Sequence, residues 1–174
     1  MAVRKGVEDS SEVLPPGASV PVFVSYASQD AAIANSIVEH LESQGLKCWI
    51  APRDVKPGAQ YADAIVRAIN EAKALVLVMS GNAMDSAHVA REVERAASKR
   101  KPIIPFRIDA AALNPELEYF LSNSQWIDVP KLGMPAALAK LKAAVGQGSA
   151  SSSQDVTAGK HAGRAFAMRL CVYL

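Results

Sequence analysis

Cysteine is almost missing from this chain: Cys48 and Cys171 are the only two in 174 residues. Two thiols so far apart make neither a disulfide framework nor a zinc site, so no metal is expected and a reducing, intracellular compartment is. Long hydrophobic runs are missing too. The longest strongly apolar stretch, Ala74 to Met79, falls far short of the ~20 residues a membrane-spanning helix needs. The first twenty residues contain no apolar core of the kind a signal peptide requires. A soluble, cytoplasmic chain with no membrane partner is the expectation. Excess charge is the third absence. Lys+Arg of 19 against Asp+Glu of 17 leaves +2, and Lys160, Arg164 and Arg169 against Asp155 carry that excess after Gln147. The body before them is neutral, which argues against a phosphate-tracking surface and predicts no nucleic-acid partner. Glycine is absent where a nucleotide cradle would want it, because the first strand-to-helix turn reads SYASQD.

What is present is an alternation. PVFVSY (21–26), LKCWI (46–50), ALVLVM (74–79), PIIPFRI (102–108) and QWIDV (125–129) are short β-branched or aromatic runs separated by helical patterns. Ile33, Ile37, Val38 and Leu41 share one helical face, with Gly45 where a C-terminal cap belongs. Ile65, Val66 and Ile69 form a second stripe, Val89, Val93, Ala96 and Ala97 a third, and Leu138, Leu141 and Val145 a fourth in a helix from Met134. Strands that are apolar throughout are buried on both faces, so helices must cover both sides of a parallel sheet. The expected fold is α/β, a doubly wound sheet of five parallel strands, which is flavodoxin-like if the order is 2-1-3-4-5. Its ligand crevice would lie beyond the ends of strands 1 and 3, at Tyr26–Asp30 and Ser80–Ala83. Pro102 and Pro105 predict that strand 4 is an edge or an irregular strand. Four segments follow from composition: a flexible tail over 1–19, a domain over 20–146, a Gly/Ser-rich linker over 147–163, and a short apolar segment over 164–174. The last reads either as a docking helix or as the start of a further region.

Few residues offer chemistry. Strand 3 ends in Met79-Ser80-Gly81, which lacks the phosphate-accepting aspartate of a response regulator. His40, His88 and His161 lie in separate elements and suggest no Ser-His-Asp triad. The loop Ala51 to Gln60 is long and charged, and its Pro57-Gly58 pair makes either a plain turn or a recognition loop over the crevice. Glu92 is the most informative acid. At 100° per residue from Val89 it falls near ~300°, on the border of the buried stripe, while Arg91 and Glu94 point outward. One reading is an ordinary helix glutamate paired with Arg95 or His88. The other is a functional carboxylate beside the crevice.

FVSYASQD, CWIAPRDVKPG, LVLVMSGNAM with VAREVERA, KPIIPFRID and LEYFLSNSQWIDV, in that order and spacing, resemble the Toll/interleukin-1 receptor (TIR) domain, most closely its bacterial branch. The resemblance covers about residues 20 to 146. It implies an NADase that hydrolyses NAD+ to nicotinamide and ADP-ribose or a cyclic isomer, a signalling role such as bacterial immunity, and activation by self-association with other TIR domains. NAD+ is then a consumed substrate, and no cofactor is needed. The alternative is a non-catalytic TIR adaptor that docks other TIR domains. The resemblance makes Glu92 catalytic, with His88 where many enzymatic members carry an aromatic residue. Tyr26, Ala27, Ser28, Arg53, Lys56, Tyr61, Ser80 and His88 become the NAD-binding set. Arg53, Asp54, Pro57 and Gly58 of the loop after strand 2, the BB loop, become the assembly set.

Overall fold

Strand β3 (Ala74–Met79) decides the layering. All six of its residues are buried. Ala74, Val76 and Val78 belong to one apolar cluster, and Leu75, Leu77 and Met79 to another. Side chains alternate across a strand, so each cluster fills one face of the sheet. The computed structural model describes residues 21–122 and 124–147. The expected tail over 1–19, the linker beyond Gln147 and the 164–174 segment, with His161 and Cys171, lie outside the described residues.

The sheet is five-stranded and parallel throughout, in the order β2-β1-β3-β4-β5. Its other strands are β1 (Val22–Ser25), β2 (Cys48–Trp49), β4 (Ile103–Arg107) and β5 (Ile127–Asp128). Helices α1 (Ala31–Ser43) and α7 (Met134–Gln147) cover one face, through Ile37, Leu41, Leu141 and Val145. The other face is covered by α2 (Tyr61–Glu71), α4 (Ala87–Ser98) and α5 (Pro115–Leu121), through Ile69, Val89, Val93 and Leu117. Short helices α3 (Gly81–Met84) and α6 (Val129–Leu132) follow β3 and β5. Gly45 has φ +79 just after α1, the left-handed conformation that closes a helix cheaply only for glycine. Among the described residues no helix is long and apolar enough to cross a membrane.

Two expectations are corrected. β4 is neither an edge nor irregular, because β3 and β5 flank it. Ile108 N donates to Met79 O, so by the two-residue alternation Ile104 and Phe106 face β3 and Pro105 turns its nitrogen the other way. β5 joins only from Phe106 onward. Proline's missing N–H therefore falls where no partner waits. Val66 is 40% exposed rather than part of the α2 stripe. Ile65, Ala68, Ile69 and Ala72 carry the inward face instead, at the i, i+3, i+4, i+7 spacing that one helical face requires.

Candidate active site

The run Val22–Ser25 is fully buried, and its last residue is a hydroxyl only 1% exposed. A buried hydroxyl without a partner costs about 1–3 kcal/mol. Ser25 Oγ finds one 67 residues away, donating to Glu92 Oε2 at 2.6 Å. The acid is brought there by α4. Ser86 caps that helix by accepting from Val89 N at 3.3 Å, and Val89 and Val93, one turn apart, are wholly buried. With those two pinned into the core, Glu92 is turned onto the border beside the end of β1. Burial pushes its carboxyl up to about 7, against the downward pull of the Ser25 hydrogen bond. The expected pairing with Arg95 or His88 is not what the structure shows: Arg95 Nε donates to Asn70 Oδ1 at 3.2 Å, and Ser25 is the hydrogen-bond partner of Glu92 among the described residues.

Glu92 stands in the wall of a cleft of about 440 Å³ at the carboxyl ends of β1 and β3, where the strand order reverses direction. Tyr26, Ser28, Tyr61 and His88 line it with Glu92, as do Ala51 and Pro52 from the loop after β2. Tyr26 Oη donates to Ala51 O at 2.5 Å. Burial, then Tyr61 and Glu92, raise the Tyr26 pKa, so the phenol stays neutral and tethers the loop to β1.

Ala27 and Ser80 do not line the cleft. They are 3% and 1% exposed. Ser80 Oγ donates to the Asp30 carboxylate while accepting from Ala83 N at 3.0 Å, which caps α3. Asn82 Nδ2 donates to the other Asp30 oxygen at 2.9 Å. Asp30 thus braces the two lips of the cleft, the turn after β1 and the turn after β3.

Arg53 and Lys56 lie outside the cleft lining as well. The Arg53 guanidinium reaches Glu42 at 2.8 and 3.1 Å, Asp54 at 2.9 Å and Cys48 O at 3.1 Å. These acceptors raise its pKa still further and occupy its donors. Asp54 in turn accepts from Ile50 N at 2.8 Å. Arg53 and Asp54 therefore brace the base of the loop, while the Arg53 side chain is still 44% exposed. Lys56, Pro57 and Gly58 remain exposed on the outer turn, where Gly58 takes φ +81. Cys48 is buried beside this cluster, and burial together with Glu42 pushes its thiol up to about 12. It is not a nucleophile near neutral pH.

Reading the residues in order left Ser25, Asp30, Asn82 and Asp85 unassigned. Ser25 carried a signal: a hydroxyl closing an apolar strand must be buried with a partner. Asn82 and Asp30 fell within the segments expected to end at the crevice, without a role; Asp85, which lines the cleft with Asn82, carried no signal.

The family model for the TIR domain matches residues 22–142. A stimulator of interferon genes protein from Magallana gigas is 38% identical over 65 residues, 37% of this chain and 16% of that protein. The chain thus spans about a sixth of that curated relative. The TIR domain of the Toll-related receptor TRR-2 from Hydra magnipapillata superposes with a TM-score of 0.62 at 25% identity, over 71% of this chain and 96% of that one. A metazoan TIR-STING receptor from C. gigas gives 0.52 at 22% identity, over 78% and 40%. The Clostridium botulinum CMP N-glycosidase BcmB gives 0.52 at 18%, over 70% and 97%. The last two share the fold. Of these relatives, those at 25% identity or more are metazoan, so the likeness holds for the family and not for its bacterial branch.

Proposed function

The chain belongs to the TIR domain family, and we propose that it acts as an NAD+ glycohydrolase, with Glu92 as the carboxylate that drives cleavage of the nicotinamide–ribose bond. The observation that carries this reading is one acid, buried enough to be raised to about 7, in the wall of a cleft at the switch point. Nicotinamide is bound to C1′ as a pyridinium cation. When the C1′–N bond breaks, the electron pair goes to the ring nitrogen and nicotinamide leaves neutral. No general acid is required, unlike ordinary glycosides with their two carboxyl groups. Positive charge develops on the ribose, and a nearby carboxylate stabilises it. Water then adds its oxygen to C1′ and releases one proton, giving ADP-ribose; attack in place of water by a nitrogen or hydroxyl of the same ADP-ribosyl cation, with loss of one proton, gives a cyclic isomer. A bound pyridinium also favours the ionised form of Glu92, since opposite charge lowers a carboxylate pKa. Tyr26 and Tyr61 line the same cleft, where an aromatic ring can attract the cation.

Self-association is part of the proposal, through the exposed Lys56-Pro57-Gly58 turn, as is a cytoplasmic site of action. A non-catalytic adaptor would use the same exposed turn and leave the cleft idle. The test is nicotinamide release from NAD+ across a wide range of protein concentrations, for wild type and Glu92→Ala. Release that rises per molecule with concentration and vanishes in the variant is expected. Absence of release at every concentration would leave the adaptor reading.

A further inference from the structure

Two carboxylates, Asp85 and Glu92, line the cleft, with no lysine or arginine beside them. A dinucleotide brings two phosphate charges that such a wall does not answer, and Arg53 is already held by Glu42 and Asp54. A second cavity of about 400 Å³ runs between α2 and α4. It shares Tyr61, Ile65, His88 and Glu92 with the first, so the two adjoin along these four residues, Glu92 among them.

The second cavity holds what the first lacks. Arg91 and Arg95 line it, with Glu94 as the one carboxylate besides Glu92. Neither arginine is in an ion pair among the described residues. The Nε bond to Asn70 turns Arg95 toward α2 and leaves its outer guanidinium nitrogens as donors. On the α4 wheel, Arg91, Arg95, His88 and Glu92 fall near ~200°, ~240°, ~260° and ~300° from Val89, a single flank. A ligand whose reacting carbon sits at Glu92 therefore meets aromatic rings and hydroxyls on one side and two guanidinium groups on the other.

The geometry points to a phosphate-binding arm: the α2–α4 groove, with Arg91 and Arg95 as donors, takes the diphosphate of a pyridinium dinucleotide whose ring enters the Tyr26–Tyr61 arm. This rests on the glycohydrolase reading and adds the orientation of the substrate and the residues that select a phosphate-bearing one. Guanidinium forks suit phosphate oxygens, and a charge-assisted bond is stronger than a neutral one.

The test compares kcat/KM for NAD+ and for nicotinamide riboside, which has no phosphate, on the full chain. The variants are Arg91→Gln, the Arg91→Gln/Arg95→Gln pair and, as a control for net charge, Arg67→Gln, an exposed α2 residue outside both arms. The single Arg91 variant spares the Arg95–Asn70 bond between the helices. The paired variant is expected to lower the NAD+-to-riboside ratio at least about tenfold, mainly through KM, with Arg91→Gln contributing part of that fall and Arg67→Gln leaving the ratio unchanged. An unchanged ratio, or an equal loss on both substrates, overturns the assignment. Should wild type release nicotinamide from neither compound, the glycohydrolase reading fails, and the arm is judged by ADP-ribose binding measured by calorimetry. Binding weakened about tenfold in the paired variant supports it; binding that is absent, or the same in wild type and the pair, overturns it.

Discussion

Two ionisable sites, Arg53 at the base of the loop after β2 and Glu92 in the cleft wall, are built in opposite ways. Arg53 reaches Glu42, Asp54 and the Cys48 carbonyl, yet its side chain is 44% exposed. Exposed pairs of this kind are worth about 0–1 kcal/mol each, because water and salt already serve both charges. Glu92 has a single hydroxyl for a partner, in a buried wall, and there the carboxyl is pushed up to about 7. Relative to an ordinary value of 4.5, that displacement corresponds to about 3 kcal/mol against ionisation. Burial, rather than the number of partners, decides which carboxylate is chemically unusual. A residue kept at such a cost is a candidate for function, where stability and activity commonly conflict.

The sharpest way to break this contrast is Glu92→Gln, which keeps an acceptor for Ser25 and removes the charge. Nicotinamide release should fall about a thousandfold, or about 4 kcal/mol of barrier. Urea unfolding at pH 8 should at the same time show a more stable protein. Lost activity with lost stability would make Glu92 a structural residue.

Next in size is the pH dependence of stability. The folded protein holds a proton on Glu92 at pH values where the unfolded chain has released it, so the native state binds more protons between about pH 4.5 and pH 7. Stability should therefore drop as pH rises through that window, by about 3 kcal/mol from this residue, and the drop should disappear in Glu92→Gln. Catalysis should run the other way, with kcat/KM rising on an acid limb near pH 7. Denaturant midpoints and rate profiles at matched pH values measure both slopes.

Ser25→Ala removes the one bond that favours the ionised acid. The acid limb of the rate profile should move to higher pH, and turnover at pH 7 should fall about tenfold, recovering as pH is raised. A loss equal at all pH values would mean that Ser25 positions the acid without tuning it.

The smallest effect belongs to the other site. Arg53→Ala should cost about 1 kcal/mol at low salt and less at high salt, with nicotinamide release changed only modestly, since Arg53 does not line the cleft. A loss of activity as large as that of Glu92→Gln would place Arg53 with the reacting groups and dissolve the distinction between the two sites.

The parallel sheet and the helices on both faces were legible along the chain, because periods of 2 and 3.6 are local properties that burial imposes on each element separately, whereas the strand order is a relation between elements that those periods do not contain. The β2, β4 and β5 runs were read longer than they are, since apolar composition does not show where a neighbouring strand stops pairing. Glu92 was legible as a border acid, because Val89 and Val93 set the helix face by themselves. Its partner was not: Ser25 lies 67 residues away, and the local rule offered Arg95 or His88 one turn off. Arg53 looked free for a phosphate, because nothing near it in the chain reveals that Glu42, eleven residues earlier on α1, would occupy it. Pattern along the chain thus determined which elements form and which faces they bury. Which polar groups meet, which carboxyl is dried out, and which arginines remain available to a ligand were decided only when the layers closed, because desolvation and hydrogen bonding depend on neighbours that sequence distance does not report.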